Sequence, residues 1–285
     1  MGRIVPNERW MVGIWVIATL LTGQVYAEEL GEKRTENGIP NEVLDCRYQR
    51  SGEGMAASEW FPSDDLFRPL LADPKQPQFF ALWQSMQSRN ERTNSNIGSI
   101  GVGENFGFYT KRTGCNGWQI NLLTGIFAQF DLDASDATLI NVDFNVGVPV
   151  TWRHGNWSAR LRFYHQSSHI GDEFLGANPG FQSIGFQFDE VDMIVSYDVQ
   201  RWLRLYGGGA VMINRQPVTI DRNTAQWGFE ARASTPLGRS YGLGLLSNPI
   251  LFWPLLTADF KSVEEQGWHI NTNLLMGFDM SRVGS

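Results

Sequence analysis

Long apolar runs are scarce in this chain. Outside Trp10–Leu21, no stretch approaches the roughly 20 apolar residues that a helix needs to cross a bilayer. No transmembrane helix is therefore expected. Basic excess is also missing, with Lys+Arg 23 against Asp+Glu 30. Neutralising a phosphate backbone needs a basic surface, so no nucleic-acid partner is expected. Histidines number 4 and cysteines 2. Two cysteines are a poor basis for a zinc site. Cys46 and Cys115 could pair in an oxidising compartment, but their spacing along the chain leaves that open.

Glycine and aromatics are plentiful: Gly 30, Trp 11 and Phe 18, with 42% of residues apolar and 19% charged. That balance suits a β-rich protein, including one that shows apolar surface to lipid.

Residues 1–27 read as a signal peptide. Arg3 and Arg9 precede the apolar run, and Val25-Tyr26-Ala27 supplies small-residue cleavage chemistry. The mature chain is expected to start at Glu28. Residues 28–77 are polar with scattered Pro and Gly, and are expected to be a periplasmic N-terminal segment. Within it, Trp60-Phe61-Pro62 and Leu66 to Pro74 suggest a short docked turn or helix.

From about residue 78 the pattern alternates. Trp118, Ile120, Leu122, Ile126 and Phe130 face one way, and Gln119, Asn121, Gln129 and Asp131 the other. Thr138 to Trp152 and Trp268 to Met280 repeat the pattern. Soluble strands average about 5–6 residues. These runs are longer, and strands that cross a bilayer at a tilt need about 9–11. Tryptophans at the run ends (Trp118, Trp152, Trp157, Trp268) match an interfacial girdle.

Residues 78–285 are therefore expected to be all-β: an antiparallel transmembrane β-barrel in the outer membrane of a Gram-negative bacterium. About ten strands are expected, near 78–88, 97–111, 117–132, 137–153, 156–169, 185–198, 201–214, 224–235, 250–262 and 267–280. The absence of a terminal aromatic suggests about 12 strands in a longer chain. Tight turns at Arg153–Asn156 and Asp198–Arg201 mark the periplasmic end, and the long connection 170–184 the outer end. The connection 236–249 is long for that scheme.

In 156–169, Arg160 and Arg162 must face the lumen, because arginine on the lipid face costs about 2–4 kcal/mol at mid-depth. His165, Ser167 and His169 then face outward near the headgroups. His165 and Ser167 lie about 7 Å apart along the strand, close enough for a base beside a nucleophile. His165 and His169, about 13 Å apart, are too distant for one metal ion, and nothing calls for a metal or another cofactor. The inward charges Arg160, Arg162, Glu190, Asp192, Asp198, Arg204, Glu230 and Arg232 suggest a lining or plug. Gly207-Gly208-Gly209 marks a bend or close packing, not a phosphate loop.

The triplet His165-Gln166-Ser167 resembles the His-x-Ser motif of outer-membrane phospholipase A and of the lipid A deacylase. The resemblance implies Ser167 as nucleophile, His165 as general base, and a third polar residue that orients the imidazole. Asp189, Glu173, Asp172 and Gln187 are the candidates. The phospholipase has Asn-Gly after its serine, whereas this chain has Ser168-His169 at the place where an oxyanion hole is expected. A wider resemblance rests on Trp60-Phe61-Pro62, LFRPLLADPKQPQF from Leu66, GWQINLLTGIFAQFDL from Gly117 and NWSARLRFYHQSSHIGDEF from Asn156. These stretches look like the uncharacterised outer-membrane barrel family named DUF1207, which implies about twelve strands and brings no activity. Two readings follow: a hydrolase of acyl esters in phospholipid or lipopolysaccharide, or a barrel without enzymatic activity. Either would meet membrane lipids and the barrel-assembly machinery.

Overall fold

A computed structural model describes residues 16–18, 56–87, 94–179, 185–240 and 250–282. Its strands are β1 (Val16–Ala18), β2 (Ala56–Trp60), β3 (Phe80–Gln87), β4 (Asn94–Thr113), β5 (Asn116–Asp131), β6 (Thr138–His154) and β7 (Trp157–Ile170). After the short helix α1 (Asp172–Ala177) come β8 (Phe186–Gln200), β9 (Leu203–Gln216), β10 (Asn223–Arg232), β11 (Gly238–Ser240), β12 (Ile250–Val263) and β13 (Ile270–Arg282). Every long strand expected from the alternation is present, with ends displaced by a few residues. The short β1, β2 and β11 were not anticipated. Among the described residues no helix is long and apolar enough to cross a membrane.

All thirteen strands belong to one antiparallel sheet in which the long strands follow chain order. Both β2 and β3 pair with β4, at Thr113–Tyr109 and at Gly101–Asn94, so together they form one interrupted edge strand. Similarly, β10 and β11 both pair with β12, at Val263–Leu255 and Phe252–Ile250. Counting each such pair once and setting β1 aside, thirteen strands fill ten wall positions. The connection 236–249 is shorter than it looked, because β11 continues the wall. β1, within the stretch expected to be a leader, pairs with Ala81–Trp83 on the far edge of β3.

The pleat sorts the residues in the reverse of a soluble protein. Phe144, Val146, Val148, Val150 and Trp152 on β6 are each more than 40% exposed, as are Leu161 and Phe163 on β7. Asp143, Asn145, Thr151, Arg153, Arg160, Arg162 and Gln166 on the opposite face are buried. Among the described residues, 24 polar or charged residues are buried against 15 apolar ones, so no second sheet packs on the apolar face. A sandwich would have hidden those valines.

Charges on the inner face meet as cross-strand pairs. Asp192 on β8 accepts from both Arg160, at 3.1 Å, and Arg162 on β7. Arg204 on β9 pairs with Glu230 on β10 at 3.1 Å, directly opposite in register. Buried guanidiniums are tolerated only when paired in this way.

The segment 62–78 fills the space that the inner face encloses. It makes turns and no helix. Asp65 accepts from Asn105 on β4 and Asn121 on β5. The Leu66 N–H donates to Gln119 on β5, and Arg68 pairs with Asp198 on β8. The Leu71 N–H donates to Glu230 on β10. Asp73 accepts from Gln226 on β10 and Lys261 on β12. Lys75 pairs with Asp143 on β6, and Arg160 on β7 donates to Gln76. Neighbouring strands lie about 4.8 Å apart. A flat sheet could not offer partners from β4 to β12 to so short a segment, so the sheet curls around it. Phe80 and Leu82 on β3 and Asn273, Leu274 and Leu275 on β13 line one cavity.

Leu66, Phe67 and Leu70 carry the apolar packing of this plug, and all are buried. Phe67 clusters with Leu70, Ile194 and Tyr206. Its ring also lies 5.3 Å from the Arg160 guanidinium and 4.7 Å from that of Arg204. Gly208 is a matter of close packing: a Cβ there would sit 1.9 Å from the Met193 carbonyl oxygen. At the end with the tight turns, aromatic rings form a rim. Trp60 lies 4.9 Å from Tyr109, Tyr109 lies 5.5 Å from Trp118, and Trp157 lies 4.6 Å from Tyr197. Cys115, in the turn between β4 and β5, is buried and disulfide-bonded. Cys46 lies outside the described residues.

Candidate functional site at the outer rim

Strand parity decides which way the His165-Gln166-Ser167 motif points. Arg162, Tyr164 and Gln166 are buried in the enclosed face, so His165 and Ser167 point outward. Apolar exposure along β7 ends at Phe163, so the pair sits just beyond the apolar band, toward the end opposite the tight turns. The next outward position on the neighbouring strand across from His165 is Asp189.

These two side chains meet. His165 Nδ1 lies 2.8 Å from Asp189 Oδ1. The other carboxylate oxygen accepts from Asn214 Nδ2 on β9, also at 2.8 Å. A register shift between Asp189 and Glu190 re-aims this end of β8. With both oxygens engaged, Asp189 is held in place. An imidazole that donates Nδ1–H to a carboxylate keeps Nε2 as its acceptor, which is the tautomer a general base needs.

Ser167 is brought to the same face but not into contact. It lies opposite Phe144 on β6 and Gln187 on β8, and no hydrogen bond joins its Oγ to His165. Gln187 bonds Gln216 at 3.1 Å instead. Asp172 and Glu173 lie in the first turn of α1, exposed, with no bond to His165. Of the candidate orienting residues, only Asp189 reaches the imidazole. His169 packs its ring 5.9 Å from Phe144.

The segment after the serine offers no anion cradle. Ser168 and His169 continue the ladder with Asp143 and Val142 on β6. A turn that frees amides beside Ser167 is therefore lacking. Among the described residues, no group of three or more His, Cys, Asp or Glu could hold a metal ion. The sequence reading missed Asn214. Its only signal was strand register, since Asn214 becomes Asp189's neighbour once β8 and β9 are aligned.

The family model described as "Protein of unknown function (DUF1207)" matches residues 27–284, and the chain belongs to that family. No curated protein and no solved structure matches it.

Proposed function

We propose that this DUF1207 chain is a β-barrel of the Gram-negative outer membrane, sealed from within by its own segment 62–78, and that it serves as a non-conducting, lipid-embedded scaffold of the envelope. One observation carries the reading: the apolar side chains face outward and the ionic ones inward. In water that arrangement would expose the wrong face, whereas in hydrocarbon it is the stable one. An even number of wall positions makes the two edge strands antiparallel, as closure of an all-antiparallel barrel requires. Removal of residues 1–27 would free the edge of β3 that β1 occupies, leaving it for β13. The plug bonds to strands around the wall, which argues against a water-filled pore.

The test is reconstitution. The full chain should require detergent or lipid to stay monodisperse, should migrate differently on gels before and after heating, and should pass no steady current in a planar bilayer. A monodisperse chain without detergent defeats the membrane reading, and a steady conductance defeats the sealed-lumen reading.

A second reading is favoured by the 2.8 Å contact between His165 and Asp189. The outward group would hydrolyse acyl esters of phospholipid or lipopolysaccharide. His165 would take the Ser167 hydroxyl proton as Oγ attacks the ester carbonyl, and then return it to the leaving alkoxide. Water would release the fatty acid from the acyl-serine. Fatty-acid release from mixed micelles by the wild type but not by Ser167→Ala would support it. Equal release, or none from either, removes it.

A further inference from the structure

Two openings meet at the end of the wall that carries the tight turns. One enters the enclosed space and has a cavity volume of about 390 Å³. Its charged lining is Arg68, Arg201, Arg204 and Arg232 against Glu230 and Asp279. Arg204 pairs with Glu230, Arg232 with Asp279 at 2.8 Å, and Arg68 with Asp198 beyond the lining, which leaves Arg201 without a carboxylate there and the arginines short of acceptors. Arg204 shows this most directly. Its side chain is 2% exposed, and Nη1 serves both Glu230 and the Arg68 carbonyl oxygen. Its Nε and Nη2 have no hydrogen-bond acceptor. Arg68 shares the single carboxylate Asp198 with Arg153, and Arg68 Nε also lacks an acceptor.

The other opening is an apolar groove on the outer surface of the wall. It arises where β10 gives way to β11. The Ala233 N–H still donates to the Pro254 carbonyl, and that of Leu237 to Phe252. Between these bonds the chain bulges away from β12 and forms a lip. Leu237 is 73% exposed and Met276 is 79% exposed, and both line the groove. Trp202, Arg232, Leu255 and Phe278 line both openings. The apolar groove therefore runs into the cationic mouth.

That continuity selects the occupant. Planar guanidinium forks match the oxygens of a phosphate group, and a surplus of them favours net negative charge. A groove of apolar side chains leading away from the arginines matches an acyl chain on the same molecule. We propose that this mouth binds an anionic phospholipid, with the phosphate among Arg201, Arg204 and Arg68 and one acyl chain along Leu237, Met276 and Phe278. The inference rests on the membrane reading above, since only a lipid-embedded wall presents the groove to acyl chains. The polar end, with its tight turns, then faces the inner leaflet, where such a lipid would be drawn from.

The experiment uses the full chain in a neutral maltoside detergent, titrated with phosphatidylglycerol, phosphatidylcholine or inorganic phosphate, with bound molecules counted by native mass spectrometry. Phosphatidylglycerol should be retained about tenfold better than phosphatidylcholine, as expected of charge-assisted contacts. Arg201→Glu, at an exposed position, should abolish most of that preference. Leu237→Glu should weaken lipid retention while leaving the binding of inorganic phosphate unchanged. Arg204→Gln should lose the preference in protein whose gel mobility still responds to heating. Equal retention of the two lipids overturns the proposal, as does a preference that survives Arg201→Glu. Displacement of the lipid by equimolar inorganic phosphate would assign the arginines to a free anion and overturn the lipid assignment. A chain that needs no detergent would instead mark failure of the membrane reading, a different result from a detergent-dependent barrel without lipid preference.

Discussion

Asp73 accepts a hydrogen bond from Lys261 Nζ at 3.3 Å, across 188 residues of chain. The contact ties the plug to the wall strand that precedes the last one. Asp73 is almost fully buried, and the Gln226 amide at 3.2 Å and the Lys75 N–H at 3.0 Å complete its shell. Burial pushes its pKa upward, but Lys261 and the donated N–H outweigh that and hold the carboxyl well below its ordinary value. The plug is thus fastened by a charge that stays ionised throughout the neutral range.

Asp73→Asn should loosen that fastening. It leaves Lys261 with its other acidic neighbour, Asp259, which moderates the loss. Removing one partner of a buried pair costs about 3–5 kcal/mol when nothing compensates, so about 2–3 kcal/mol is expected here. The measurement is the temperature at which the folded gel band is lost, compared with wild type. An unchanged temperature would mean that the pair does not anchor the plug.

Asp65 gives the plug an opposite pH response. Burial raises its pKa to about 6, despite the amides of Asn105 and Asn121 that donate to it. A carboxyl raised in the folded state stabilises it below its unfolded value near 3.8, and that contribution is lost as pH rises through about 6. The wild type should therefore melt higher at pH 5 than at pH 7.5, by about 1 kcal/mol once partial exposure is allowed for. Asp65→Asn should flatten the Asp65 contribution over that interval. A variant with the same pH slope as wild type would show that Asp65 is ordinary.

The wall was legible in the sequence because a period of two survives over long runs, as in Val142, Phe144, Val146, Val148 and Val150. Side-chain direction followed, since Arg160 and Arg162 could face only the enclosed side. The plug was less legible. LFRPLL announced a docked apolar segment, yet its partners are scattered from Asn105 to Lys261, and no local pattern reports contacts that distant. The split of the first wall strand into β2 and β3 was hidden for the same reason. At the rim, His165 and Ser167 were found by spacing, whereas choosing Asp189 over Glu173 needed the register of β7 with β8.

Val148 offers a direct check on what solvates the outer face. It lies opposite Phe163 on β7 and is 47% exposed. In a soluble protein, Val148→Arg at such a position would change stability by no more than about 0.5 kcal/mol. In hydrocarbon it should cost about 2–4 kcal/mol. Folding yields into lipid vesicles, read by the heat-sensitive gel band, should fall for Val148→Arg and recover for Val148→Leu. Equal yields for the two variants would contradict lipid contact at this level.

The glycine run provides a paired test of the wall itself. At Gly208 a methyl group would meet the Met193 carbonyl oxygen at 1.9 Å and the Ile194 Cα at 2.9 Å, all backbone that cannot swing aside. At Gly207 the nearest atom to such a methyl is the Trp227 Cβ at 3.7 Å, an ordinary contact. Gly207→Ala should fold nearly as well as wild type, while Gly208→Ala must push β8 and β9 apart and should lose at least about 1–3 kcal/mol, the range of overpacked sites. The contrast matters more than either value, because both substitutions add the same methyl to the same strand. Equal melting of the two variants would mean that β9 does not lie against β8 in this register.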